Sequence, residues 1–219
     1  MGMETRIMII DDHPLMRQGL AATIESVAGF KVCCQASSAE DALDEMDEAQ
    51  PDLAVVDISL PGMGGLELIK HMRNLYPDIK TLVVSRHDEV LYAERAIRAG
   101  ARGYVMKLEA GEVIVDAIRR VMRGGIFVSD EINERLLMSM ASGRSSVSQS
   151  PMEILSDREL EVLELSGKGL TTRDIAERLH LSVKTVESYR SRIKEKLNLG
   201  SATELMQRAV QWVNSESGD

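Results

Sequence analysis

Asp57 closes an apolar run, Leu53-Ala54-Val55-Val56, and is followed by Ile58-Ser59-Leu60-Pro61-Gly62. A lone carboxylate therefore stands where a buried strand breaks into a loop, with no cap or salt-bridge partner near it in sequence, and this marks it as a nucleophile. Three other apolar runs end in chemically useful groups: Asp11-Asp12 after Ile7-Met8-Ile9-Ile10, Ser85 after Thr81-Leu82-Val83-Val84, and Lys107 after Gly103-Tyr104-Val105-Met106. Moving a phosphoryl group onto a carboxylate sets anion against anion and demands neutralising charge. Mg2+ suits the task, because it takes one or two carboxylates together with phosphate oxygens and water. Asp12, Asp57 and the backbone carbonyl of Ser59 can supply its protein oxygens, with Asp11 holding a coordinated water. Lys107 neutralises the remaining phosphoryl charge, Ser85 donates its hydroxyl to a phosphoryl oxygen, and Tyr104, three residues before Lys107, can follow Ser85 inward.

Each of these residues also has an ordinary structural reading. Asp12 can cap a helix starting near Pro14, Ser85 can be a turn residue, Lys107 a solvated strand end and Tyr104 part of the core. Their joint occurrence at the ends of apolar runs favours the phosphorylation site. His13 reads as a loop residue rather than a ligand, and the 13 Met residues as core filling. Cys33 and Cys34, adjacent and in an apolar segment, cannot form a disulfide framework and read as small buried hydrophobes.

The elements that must position these groups follow from periodicity. Up to Gly125, short apolar runs alternate with helical patterns about a dozen residues long, the mark of a parallel sheet covered on both faces. The predicted strands are Arg6–Ile10, Phe30–Gln35, Leu53–Val56, Lys80–Val84 and Gly103–Met106. Pro14 suits a first helical turn, Ser38 with Asp41 resembles a capping box, and Val113, Ile114, Ala117, Ile118 and Val121 form a helical stripe. The fold class is therefore α/β, a five-stranded, doubly wound, flavodoxin-like sheet in the order 2-1-3-4-5. Such sheets bind ligands beyond the carboxyl ends of their strands at the topological switch point, which brings Asp11, Asp12, Asp57, Ser85 and Lys107 together.

The 219 residues suit two small domains, and 44% hydrophobic with 28% charged residues is an ordinary globular composition. No stretch has the length and apolarity of a membrane span, and the start lacks a signal-peptide pattern, so a cytoplasmic protein without membrane contact is expected. The net charge of -9 excludes sheer electrostatic attraction to nucleic acid, but its distribution is uneven. Residues 1–125 carry 14 basic and 20 acidic side chains, whereas residues 181–197 carry five basic and two acidic. We divide the chain into a phosphoacceptor domain over 1–125, a linker with a helix near Glu131–Met140 over 126–151, and a second domain over 152–219. The Ser-rich segment 141–151 would let the domains separate.

In the second domain apolar residues recur at helical spacing only, giving a small all-α bundle of four helices near Asp157–Ser166, Thr172–Leu179, Val183–Leu197 and Ala202–Asn214. Ile175-Ala176, Leu179, the turn Leu181-Ser182-Val183 and Thr185-Val186 have helix-turn-helix spacing: Ala176 permits close approach, Ser182 caps the second helix and Val186 faces the bundle. That helix offers Lys184, Thr185, Glu187, Ser188, Arg190, Ser191, Arg192 and Lys194 to bases and phosphates, with Lys196 nearby. A solvated charged face on a plain bundle is the competing reading, and the turn pattern favours DNA.

Ile9-Ile10-Asp11-Asp12-His13-Pro14, Val56-Asp57 with Leu60-Pro61-Gly62-Met63, Ser85, and Gly103-Tyr104-Val105-Met106-Lys107 resemble the receiver domain of bacterial two-component response regulators over residues 4–124. Leu155-Ser156-Asp157-Arg158-Glu159-Leu160-Glu161-Val162-Leu163, Gly169-Leu170, Ile175-Ala176 and Ser182-Val183-Lys184-Thr185-Val186-Glu187 are similar to the LuxR-type DNA-binding domain. Together they resemble the NarL/FixJ family. The resemblance implies that Asp57 accepts phosphate from a sensor histidine kinase, Asp11 and Asp12 bind Mg2+, Lys107 is the family's lysine, and Ser85 and Tyr104 are switch residues. It further implies a transcription factor that dimerises on activation and binds double-stranded promoter DNA, with RNA polymerase as a further partner. Its only chemistry would be self-phosphorylation and slow dephosphorylation at Asp57, so that it is not an enzyme. Gly64-Gly65 departs from the family's frequent Asp-Gly or Asn-Gly, Leu108-Glu109 follows the lysine unusually, and Tyr189 replaces a frequent His. Glu187, at a position often basic or neutral, can accept from a cytosine amino group or orient Arg190 one turn away. Two alternatives stand beside this reading. A haloacid-dehalogenase-type phosphatase also uses an aspartyl nucleophile, but as Asp-x-Asp, a spacing that Asp11-Asp12-His13 lacks. A phosphate-independent LuxR-type transcription factor would use the receiver only for dimerisation or ligand sensing.

Overall fold

The computed structural model describes residues 4–141 and 154–216. These fall into two compact units that divide between Met138 and Ser139. The first alternates strands and helices: β1 Thr5–Ile10, α1 Pro14–Glu25, β2 Phe30–Ala36, α2 Ala39–Ala49, β3 Leu53–Val56, α3 Gly65–Leu75, β4 Lys80–Ser85, α4 Glu89–Ala99, β5 Gly103–Met106 and α5 Ala110–Met122. The sheet is parallel in the order β2-β1-β3-β4-β5, as the pattern of runs predicts. Ile10 pairs with Val56 across β1 and β3, so Asp11 and Asp57 leave adjacent strands at the same level. On one face Ile7, Ile9, Leu53, Val55, Leu82, Val84 and Val105 form a core with Leu20 and Ile24 of α1 and Ile114, Ile118 and Val121 of α5. The helical stripe read in α5 is thus the face it buries.

Local chemistry sets the helix starts. Pro14 occupies the first turn of α1, where its missing N–H costs nothing. The Ser38 hydroxyl accepts from the Asp41 amide at 3.1 Å, but the Asp41 carboxylate accepts from Ser37 at 3.0 Å, so only half of the expected capping box forms. At the start of α3 a β-carbon on Gly65 would lie 1.9 Å from the carbonyl oxygen of Asp57. Only glycine lets that helix close on the Asp57–Ser59 loop, where the Gly65 amide donates to Ile58 at 2.8 Å.

Two expectations change. Cys33 and Cys34 are half-buried rather than buried, because β2 is an edge strand and its register with β1 slips between Ile7 and Met8, leaving Cys33 unpaired. Cys34 donates to Glu45, and burial with that carboxylate pushes its thiol up to about 12. The first unit also runs past Gly125. The Tyr104 amide of edge strand β5 donates to the carbonyl of Phe127 at 2.8 Å, and the Phe127 amide returns to Arg102 at 3.0 Å. Helix α6, Asp130–Ala141, starts beyond this clasp and buries Ile132, so most of the expected connecting helix lies on the first unit's side of the division. The expected linker lies, after Ala141, outside the described residues.

The second unit contains α7 Asp157–Gly167, α8 Thr172–Arg178, α9 Val183–Lys196 and α10 Ala202–Glu216, the four helices predicted. Helix α7 packs on α10 and α9, and α8 on α9, around Leu160, Leu163, Ile175, Leu179, Val186, Ile193, Leu205 and Trp212. Ser156 with Glu159 and Thr171 with Asp174 form reciprocal capping boxes at α7 and α8. Among the described residues no helix is long and apolar enough to cross a membrane.

Candidate phosphoacceptor site and recognition helix

Hydrogen bonds of the sheet carry the chain through each candidate residue at the carboxyl ends of the strands. The Asp57 amide donates to Ile10 at 2.8 Å, the Asp11 amide to Ala36 at 3.2 Å and the Lys107 amide to Ser85 at 2.7 Å. The side chains then converge. Lys107 Nζ lies 2.6 Å from Asp57 Oδ2 and 2.7 Å from Asp11 Oδ2, and all three residues are buried. Burial pushes the Asp57 carboxyl above the ordinary aspartate value; the Lys107 ammonium opposes this, and the Asp11 charge adds to it. A carboxylate held under such pressure is stabilised by any further cation brought to it.

Asp11, Asp12, His13 and Asp57 each offer one ligand atom, and these atoms lie within 4.8 Å of one another. Three carboxylates make a hard oxygen set of the kind that a small divalent cation takes. His13, read from sequence as a loop residue, is drawn into this cluster, its Nδ1 2.6 Å from Asp12 and 3.2 Å from Asp11. Its amide also donates to Asp11 at 2.8 Å, and the Arg17 guanidinium donates to the Asp11 carbonyl. Ser59 sits beside Asp57, its amide donating to Asp57 Oδ1 at 3.3 Å.

Ser85 and Tyr104 meet through a residue that sequence reasoning missed. The fully buried Ser85 hydroxyl accepts from the His87 amide at 3.2 Å, and the Tyr104 hydroxyl donates to the His87 carbonyl at 2.7 Å. Tyr104 is thus turned inward in this structure. The His87 ring reaches the Ser59 hydroxyl at 2.7 Å through Nε2 and packs on Tyr92 with centroids 4.4 Å apart. His87 joins the Asp57–Ser59 loop to both Ser85 and Tyr104. Its only signal in sequence is its place two residues beyond Ser85.

In the second unit, α8 and α9 are joined by a turn in which His180 takes the left-handed conformation, with φ 53°. Val186 and Ile193 face inward without exposure, while Lys184, Glu187, Ser188, Ser191 and Arg192 are exposed. Two of the expected contact residues, and the nearby Lys196, have other engagements. Thr185 belongs to the cap, its amide donating to the Ser182 hydroxyl at 3.0 Å and its own hydroxyl lying 2.7 Å from it. Arg190 donates to the Thr172 hydroxyl at 3.0 Å and is half-buried. Glu187 does not orient it. Lys194 is half-buried, and Lys196 donates to the buried Glu159 at 2.6 Å. Burial acts to raise the Glu159 carboxyl, but the Lys196 and Ser156 hydrogen bonds outweigh it and hold the group below its ordinary value. The Arg192 guanidinium lies 5.9 Å from the centre of the Tyr189 ring, within cation–π range.

Comparison with known proteins gives matches to both units. The family model of the response regulator receiver domain matches residues 7–119, and that of the bacterial regulatory proteins of the luxR family matches residues 153–209. The response regulator GacA of Pseudomonas viridiflava is 35% identical over 206 residues, covering 94% of this chain and 95% of GacA. The response regulator UvrY of Escherichia coli strain K12 is 34% identical over 205 residues, covering 94% of this chain and 93% of UvrY. Among solved structures, the RcsB response regulator of Salmonella typhimurium has a TM-score of 0.67 at 22% identity, covering 97% of this chain and 99% of RcsB. RcsB of Salmonella enterica serovar Typhimurium, bound to promoter rprA with the phosphomimetic BeF3-, has a TM-score of 0.62 at 21% identity, covering 94% and 98%. At these identities the likeness to RcsB is one of fold.

Proposed function

Because the chain belongs to the NarL/FixJ family of response regulators, we propose that it is a transcription factor switched by phosphorylation of Asp57. The observation that carries this reading is the buried ammonium of Lys107 between Asp57 and Asp11, 2.6 and 2.7 Å away. The donor is a phosphohistidine of a sensor kinase. A carboxylate oxygen of Asp57 attacks phosphorus, the new O–P bond forms as the N–P bond breaks, and the kinase imidazole leaves with that electron pair. Asp11, Asp12 and Asp57, with the Ser59 carbonyl, would hold Mg2+, which when bound would offset the charge of carboxylate and phosphoryl group.

The chain's own groups do the rest. Lys107 exchanges its bond to Asp57 for one to a phosphoryl oxygen. Ser85 accepts from the His87 amide and keeps its own proton to donate to the phosphoryl group. Tyr104 is bonded to the same residue, so a shift of the Ser85–His87 segment reaches it directly. The modification shifts a pre-existing equilibrium by the free energy it contributes differently to the two states.

The favoured state is a homodimer in the bacterial cytoplasm, in which two α9 helices related by a two-fold axis read paired half-sites of double-stranded promoter DNA. RcsB, of the same fold, has been solved on promoter DNA and as two dimers on two parallel DNAs. The test is DNA binding and sedimentation of the full chain with and without acetyl phosphate and Mg2+. The donor should tighten binding and promote dimers in the wild type and do neither in Asp57→Ala. Regulated DNA binding retained by Asp57→Ala would instead support phosphate-independent control.

A further inference from the structure

The outward side of α9, opposite Val186 and Ile193, is polar, with Lys184, Ser188, Ser191 and Arg192 exposed along it and Glu195 exposed near its carboxyl end. Glu187 stands exposed among them. Lys184 three residues before it and Arg190 three residues after it have the helical spacing of an ion pair, yet among the described residues Glu187 pairs with neither. Arg190 instead bonds to Thr172 at the start of α8. Several carboxylates of this unit are engaged within the fold, Glu159 with Lys196, Glu161 with Arg158, Glu164 with Lys168, and Asp174 with Thr171, whereas Glu177 and Glu195 are exposed like Glu187 but stand farther from the start of α9 that faces a base edge in a helix-turn-helix. The charge of Glu187 has no comparable structural use.

On DNA, an uncommitted carboxylate opposes binding, because the phosphate backbone repels it whatever the sequence. That repulsion is offset only where a base edge presents a hydrogen-bond donor. In the major groove cytosine offers its N4 amino group, guanine and thymine present acceptors on their edges, and adenine sets the N7 acceptor beside its amino group. Building on the DNA-binding reading above, we propose that Glu187 is a specificity-determining residue that accepts a hydrogen bond from one cytosine amino group in each half-site. It selects as much by repelling guanine and thymine as by attracting cytosine.

Selection of full-length, acetyl phosphate-treated protein on a pool of randomised duplex DNA tests this. The wild type should enrich cytosine at one position per half-site. Glu187→Gln should move the preference there to adenine, whose N6 and N7 an amide can hold together. Glu187→Ala should lose about tenfold or more of the discrimination at that position, keep the flanking preferences, and bind non-specific duplex at least as tightly as the wild type. Identical base preferences in all three proteins would overturn the assignment while leaving DNA binding intact. A wild type that enriches no sequence and binds no duplex would overturn both it and the DNA-binding reading. Glu187 is exposed and uncommitted, so both variants should keep the fold, which circular dichroism checks.

Discussion

A β-carbon on Gly65 would lie 1.9 Å from the carbonyl oxygen of Asp57, so the amino end of α3 is seated directly against the backbone of Asp57. The contact is backbone to backbone, and no flexible side chain can yield. Gly65→Ala must push α3 and the Asp57 loop apart, at a cost of about 2–3 kcal/mol or more. A melting temperature lowered by several degrees, with slower phosphorylation of Asp57, is expected. Wild-type stability in this variant would refute the close approach.

Asp57 should be a stability liability until a cation joins it. Its carboxyl is raised above the ordinary value of 3.8, first by burial, so the benefit of its protonated form is present below 3.8 and is lost as pH rises through the raised value. At neutral pH the wild type therefore carries an electrostatic cost that Asp57→Asn lacks. In chelator, Asp57→Asn should melt above the wild type, with the gap shrinking toward pH 4. Mg2+ should raise the wild-type melting temperature more than that of the variant. A variant that melts lower in chelator at neutral pH would contradict the assignment.

Glu159 gives the opposite sign. Its carboxyl is held below 4.5 because hydrogen bonds from Lys196 and Ser156 outweigh burial, so it stabilises above 4.5 and loses that contribution as pH falls through the lowered value. Glu159→Gln can keep the capping bond to the Ser156 amide but loses the charge facing Lys196. It should cost about 0.5–1.5 kcal/mol at neutral pH, with Lys196 partly exposed and screened, and nothing below the lowered value. Urea denaturation at several pH values distinguishes this from a cost independent of pH.

His87 and Ser59 should be energetically coupled. Their 2.7 Å contact spans two loops, and either truncation alone breaks it. In a double-mutant cycle, Ser59→Ala and His87→Ala should show a coupling of about 0.5–1.5 kcal/mol. His87→Ala should also cost more than Ser59→Ala, because it removes the packing on Tyr92 while leaving the backbone carbonyl that Tyr104 uses. Strict additivity would show that the contact contributes nothing.

The parts legible in sequence are those that rest on period and strand order. Continuous apolar runs mark β1, β3, β4 and β5, and because β1, β3 and β4 are neighbours, the groups after them had to meet. His87 was not legible, since its ring bridges loops far apart in sequence and its backbone serves Ser85 and Tyr104 without any side-chain signature. The Phe127 clasp on β5 was hidden for the same reason: an edge strand needs a partner, but no pattern says which segment supplies it. Thr185 looked like a base contact because cap and recognition positions of a helix-turn-helix share residue types, and only its contact with Ser182 separates them. Edge position and register slip, invisible in composition, left Cys33 and Cys34 half-buried.

The most direct test of the account is the intact mass of the protein after incubation with acetyl phosphate. With Mg2+ the wild type should gain one phosphoryl group, about 80 Da from the chemistry of the transfer, and it should gain nothing in chelator. Asp57→Asn should gain nothing in either condition. An adduct of the same size on Asp57→Asn, or none on the folded wild type with either acetyl phosphate or a phosphorylated sensor kinase, would contradict Asp57 as the acceptor.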